Sequence, residues 1–132
     1  MKKLVALIAV LVLVLSLSAT AFAEEPLKVA IVQLVENGAF KDMREGFVAR
    51  MRELGYTEDK MTFIEKNAAG DMSNLQTIVD SVVDEDMDII VTIATPPTQA
   101  VVNKDSGIPV FFISVSNPVG AGVITDMAKP DK

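Results

Sequence analysis

The stretch Asp88–Ala100, DIIVTIATPPTQA, places a nearly unbroken apolar run directly against two prolines and two threonines. Ile89 to Ile93 shows no alternation of apolar and polar residues. The strand it predicts is therefore covered on both faces, as in a parallel sheet. Tandem prolines cannot continue a central strand, but the first turn of a helix tolerates them because its N–H groups have no intrahelical acceptor. The segment predicts a strand ending near Ala94, with Thr95 as N-cap and Pro96 at the first helical position of a short helix near Thr98–Asn103. Such a strand-to-helix turn belongs at the ligand edge of an α/β lobe.

The flanking sequence repeats this switch of period. LKVAIVQL, from Leu27 to Leu34, predicts a buried strand. Phe40, Met43, Phe47, Met51 and Leu54 then recur at helical spacing and predict one apolar face, which Gly55 and Tyr56 end. The opposite face carries Lys41, Asp42, Arg44, Glu45, Arg50, Arg52 and Glu53 and reads as solvated surface, with Lys41 and Glu45 at an i,i+4 spacing. A second strand is expected around Met61–Lys66. A second helix follows it, with a capping box at Ser73 and Gln76 and a buried stripe of Leu75, Ile78, Val79, Val82 and Val83. MDIIVTIA is the third strand and SGIPVFFIS contains a fourth. Strands alternating with helices predict a three-layer α/β sandwich, a mostly parallel sheet flanked by helices on both sides.

The start of the chain addresses the compartment. MKK precedes the uncharged run LVALIAVLVLVLSL, and Ala21–Ala23 supplies small residues for cleavage, so residues 1–23 read as a signal peptide. Residues 24–132 would then form one exported domain, and with no cysteine in the chain no lipid anchor is expected. Loss of residues 1–23 removes two lysines and no acid, taking the net charge from −6 to −8 over 109 residues. That balance argues against nucleic acid as a partner. Without histidine or cysteine the chain has no Ser-His relay, no thiol nucleophile and none of the usual zinc ligand sets. No enzymatic activity and no cofactor are expected. VENGAF after the first strand lacks the glycine fingerprint of a dinucleotide site. A phosphate-accepting signalling domain would need an aspartate where the third strand ends in Ile93 and Ala94.

Ligands of open parallel sheets bind beyond the carboxyl ends of the strands. Three polar turns are predicted there: VENGAF, TPPTQ and SVSNPVGAG. Their candidate ligand-binding residues are Glu36, Asn37, Thr95, Thr98, Gln99, Ser116 and Asn117. Each has a local reading beside the functional one. Thr95 and Thr98 can serve as helix caps, and Ser114, Ser116 and Asn117 can close a turn before Pro118. Glu36 and Asn37 can form a tight turn beside Gly38. The two prolines delete donors from the helix start and leave the N–H groups of Thr98 and Gln99, with the Thr98 hydroxyl and the Gln99 amide, so the site suits one small polar group, such as a carboxylate, better than a polyphosphate. Asp84, Glu85, Asp86 and Asp88 lie away from this edge without calcium-loop spacing and read as a solvated turn. Phe40 and Phe112 fit core positions better than stacking positions.

Five segments, KVAIVQLVENGAF, REGFVARMRELGY, NAAGDMSNLQTIVDSVV, DIIVTIATPPTQA and IPVFFISVSNPVGAGVI, resemble in order the N-terminal lobe of ABC-transporter substrate-binding proteins of the tryptophan/tyrosine type. The resemblance implies one lobe of a type I periplasmic binding protein, whose two hinged lobes close over a small molecule, often an aromatic amino acid. It implies an ABC permease and its ATPase as partners and a periplasmic or secreted location. Asn117 stands where many relatives carry an aspartate, Pro97 where a residue with an N–H is usual, and Asn37–Gly38 where histidine and proline often follow the glutamate. The chain stops at MAKPDK, near the expected crossing to the second lobe. A truncated binding protein is therefore expected, with a sheet edge open to self-association. A sensory ligand-binding domain, and a fragment without binding activity of its own, remain open as alternatives.

Overall fold

A computed structural model describes residues 25–130, so the expected signal peptide lies outside the described residues. Four strands, β1 (Leu27–Gln33), β2 (Met61–Asn67), β3 (Ile89–Ile93) and β4 (Val110–Ile113), alternate with three helices. The helices are α1 (Gly38–Glu53), α2 (Met72–Asp84) and α3 (Thr95–Val102). The strands form one sheet in the order β2-β1-β3-β4, and every neighbouring pair is parallel. The expected sandwich is present, and the apolar runs at its centre explain why: β1 and β3 are buried on both faces by helices.

The two faces are packed differently. On one, Ala30, Val32 and Ile90 meet Leu75, Val79 and Val82 of α2 and Val101 of α3, all essentially inaccessible to solvent. On the other, Val29, Ile31, Val91 and Ile93 meet Phe40, Met43, Phe47, Val48 and Met51 of α1. No residue of α1 is fully buried, although its apolar stripe packs on this face. Phe47 packs edge-on to Phe63 at 5.8 Å, and the Arg52 guanidinium lies 5.0 Å from the Phe63 ring centre. An apolar hollow of about 310 Å³ remains beside α1, bordered by Leu27, Tyr56, Ile89 and Phe111.

Several sequence expectations need correction. Leu54 is the C-cap of α1 and is 56% exposed, so the predicted stripe ends three residues earlier, at Met51. The N-cap of α2 is Asp71, not Ser73. Its carboxylate accepts from the N–H groups of Ser73 and Asn74 at 2.7 and 3.0 Å, a stronger acceptor placed two residues upstream. α3 begins at Thr95, with Ala94 as its N-cap and no capping side chain, so Thr95 is not the cap. The acidic turn ending α2 lies at the amino end of the sheet, as expected. There Asp88 accepts from the Lys28 N–H at 2.7 Å, and Glu85 pairs with Lys66 at 3.1 Å.

Candidate ligand-binding rim

Parallel pairing places the turns after all four strands at one end of the sheet. Gln33 is opposite Ile93, and Ile93 is opposite Ile113, so β1, β3 and β4 finish level. α1 covers one face while α2 and α3 pack together on the other. The crossovers leaving β1 and β3 therefore diverge to opposite faces, which opens the crevice where α/β sheets bind ligands. Glu36 and Asn37 are in the turn that leaves β1 for one face, Thr95 starts the helix that leaves β3 for the other, and Ser116 and Asn117 follow β4. The three polar turns thus share one end of the sheet, as expected.

Its residues do not all have free side chains. Asn37 is the N-cap of α1 and its Oδ1 accepts from the Phe40 N–H at 3.0 Å. Asn117 Oδ1 accepts from the Gly120 N–H at 2.9 Å and closes the NPVG turn. A Cβ at position 120 would stand 2.3 Å from Asn117 Nδ2, so a side chain there would push the Asn117 amide out of this arrangement. Gln99 Nε2 donates to the Ala121 carbonyl at 2.9 Å and ties α3 to the same loop. Thr98 has no exposed surface; its hydroxyl donates to the Ala94 carbonyl at 2.7 Å and shares a 2.8 Å hydrogen bond with Thr92. Thr98 braces the turn from inside. Thr95 is partly exposed and Ser116 exposed, and both lie on the rim.

The start of α3 departs from expectation in a second way. Pro96 and Pro97 carry no N–H, and the Thr98 N–H is directed to the Ala94 carbonyl at 3.4 Å. The Thr95 N–H is thus the remaining first-turn donor, where Thr98 and Gln99 were expected to supply it. Ala94 itself sits at φ 74°, ψ 166°, a region occupied almost only by glycine. Its N–H donates to the Ile113 carbonyl at 2.9 Å, which holds it there. Ser114, the residue after β4, also has a positive φ of 62°. Strain of this kind costs about 1–3 kcal/mol per residue. Ala94→Gly should therefore stabilise the lobe by about 1 kcal/mol once the extra unfolded-state entropy of glycine is subtracted. A urea midpoint that falls in this variant would contradict the strain.

Sequence reasoning missed the best-connected side chain of the rim. Arg44 was assigned to the solvated face, yet it is 89% buried, with 11% of its side chain accessible. It pairs with Glu36, contacts Glu65 of β2 at 3.2 Å and Glu45 at 3.7 Å, and donates to Gln33 Oε1 at 3.2 Å. Hydrogen bonding to Glu36 raises the Arg44 pKa above its usual value, with Glu65 adding to the effect, while burial opposes it. The signal was in the spacing. Position 44 lies four residues after Phe40 and three before Phe47, on the stripe that faces the sheet. Asp71 and Gln33 were also overlooked, Gln33 because one polar residue in an apolar strand does not alter its period.

Comparison with known proteins adds a family. Residues 28–132 match the family model described as ABC transporter substrate binding protein. A tyrosine-binding protein of Clostridioides difficile is 33% identical over 103 residues, which cover 77% of this chain and 30% of that protein. A crystal structure of a conserved domain protein from Vibrio cholerae superposes with a TM-score of 0.74 at 34% identity, covering 78% of this chain and 35% of the other. An ABC domain from a pneumococcal Streptococcus, solved in complex with L-Trp, gives a TM-score of 0.74 at 27% identity, with 80% and 36% covered. The chain spans about a third of the length of each.

Proposed function

Because the chain belongs to the ABC transporter substrate-binding protein family, we propose that residues 24–132 form the first lobe of an extracytoplasmic solute-binding protein serving an ABC importer. In this reading the lobe offers its polar rim to an amino acid or related small solute, a second lobe closes over it, and an ABC permease with its ATPase receives the cargo. The chain is exported by residues 1–23 and catalyses no reaction. The observation that carries the reading is the alignment of the Glu36, Thr95 and Ser116 turns at one end of a parallel sheet, across the point where crossovers diverge. Relatives that bind tyrosine or are solved with L-Trp support an amino acid as the class of cargo.

Roles follow from the chemistry of the rim. The Thr95 N–H and hydroxyl are donors for a carboxylate, and Glu36 is a charged acceptor for an ammonium, whereas Asn117 is uncharged and its Oδ1 already accepts from the Gly120 N–H. Gln99 and Asn117 hold the loop 117–122 against α3 and present its backbone. Thr98 contributes by bracing this arrangement, and Asn37 by starting α1. A single jaw encloses little of a ligand's surface, and affinity in hinged binders comes from enclosure. Thermal unfolding with a panel of amino acids tests this. The chain alone should show no shift. A version continued by the second lobe of the tyrosine-binding relative should rise by several degrees with its cognate solute. Equal shifts would remove the need for a second lobe, and no shift in either would remove the amino-acid reading.

The outer edge of β4 supports self-association as a further property, since Phe111 is 59% exposed on an edge strand. A sensory role would use the same rim with a different membrane partner.

A further inference from the structure

We propose that Gln33 and Arg44 form a small site for one neutral oxygen acceptor at the carboxyl end of β1, beneath the turn that carries Glu36. Gln33 is 98% buried, with 2% of its surface accessible. Its Oε1 accepts from Arg44 Nη1 at 3.2 Å, which fixes the orientation of the amide, because the opposite orientation would set two donors against each other. The amide nitrogen, Gln33 Nε2, then has no acceptor among the described residues. Arg44 Nε is in the same position. It lies 3.2 Å from the Glu65 carboxylate, yet its N–H is not directed along that contact, so the two groups attract without a hydrogen bond. Two buried donors on hydrogen-bonded side chains thus have N–H groups to offer. Buried donors of this kind are paired in folded proteins, with protein atoms or with bound oxygen.

The surroundings define what can bind. Glu36, Glu45 and Glu65 gather around the guanidinium, and Lys41 lies 3.8 Å from Glu45, so three negative charges face two positive ones. That excess opposes a carboxylate or phosphate. An ammonium has no lone pair to accept from the Gln33 and Arg44 N–H groups and would leave them unpaired. What fits is an uncharged oxygen, either water or the hydroxyl of a solute. Such an oxygen can accept from the Gln33 amide and donate onward to a neighbouring carboxylate. It would couple the buried end of β1 to the acidic collar of the rim.

This assignment does not rest on the transport reading. It is tested on the full chain, labelled with nitrogen-15, by water-selective NOE and ROE spectroscopy, in which the sign of the cross peak separates dipolar contact from proton exchange. A dipolar cross peak from long-lived water to the side-chain amide protons of Gln33 is expected, and Gln33→Glu should abolish it. L-tyrosine is then added near its solubility limit. If the water peak is replaced by contacts from tyrosine protons, the oxygen is the solute hydroxyl; if it persists, the oxygen is a resident water. Both outcomes support the site. No long-lived water or solute contact at the Gln33 amide, with or without tyrosine, would overturn it.

Discussion

Leu75→Ala should lower the stability of the lobe by about 2–5 kcal/mol, the range for removing a fully buried leucine. Leu75 has no accessible surface and is on the α2 stripe, packed with Val79, Val82 and the β1–β3 face of the sheet. That face is the better sealed of the two, so the cavity left behind has few side chains free to collapse into it. Domains of this size have total stabilities of roughly 5–15 kcal/mol, and the substitution removes a large part of that. Leu54→Ala is the internal control. At 56% exposure it should change stability by no more than about 0.5 kcal/mol. Urea unfolding measures both, and similar costs for the two would show that the face covered by α2 and α3 is not the core.

Thr98→Val should cost about 1–3 kcal/mol although its shape is conserved, because it strands buried polar atoms. The Ala94 carbonyl loses the 2.7 Å bond it accepts from the hydroxyl, and Thr92 Oγ1 loses its 2.8 Å partner. Thr92 keeps only a 3.4 Å contact to the Phe111 carbonyl. Replacing both threonines by valine should recover part of the loss, since an unpaired donor costs more than an absent pair. Thr95→Val should be nearly silent in the same experiment, because Thr95 is not the cap. A Thr95→Val cost exceeding that of Thr98→Val would restore the reading made from the sequence.

The contrast between these two threonines shows what the sequence conveys. The period of the apolar residues contained the layer order and the helix faces, because burial acts on every second or every third and fourth position. It also indicated that the polar turns meet, since strands buried on both faces are parallel and end together. Individual roles at the rim were less legible. One residue of slippage at the start of α3 turned Thr98 inward and made Ala94 the strained junction, and helix boundaries are set by local hydrogen bonds that have no period. Ser73 and Asp71 differ in the same way. Arg44 was hidden by its charge: a guanidinium was read as solvent-facing, whereas its position on the stripe placed it under Glu36.

The claim that ties these parts together is that the carboxyl end of the sheet is the ligand face. Calorimetric titration of the two-lobed version with its cognate amino acid tests it most directly, comparing Glu36→Gln and Thr95→Val with Asp105→Asn at the opposite end. Affinity should fall about tenfold or more, roughly 1.4 kcal/mol, for each rim substitution and stay unchanged for Asp105→Asn. Unchanged affinity in both rim variants, or a loss confined to Asp105→Asn, would place the ligand elsewhere and contradict the account.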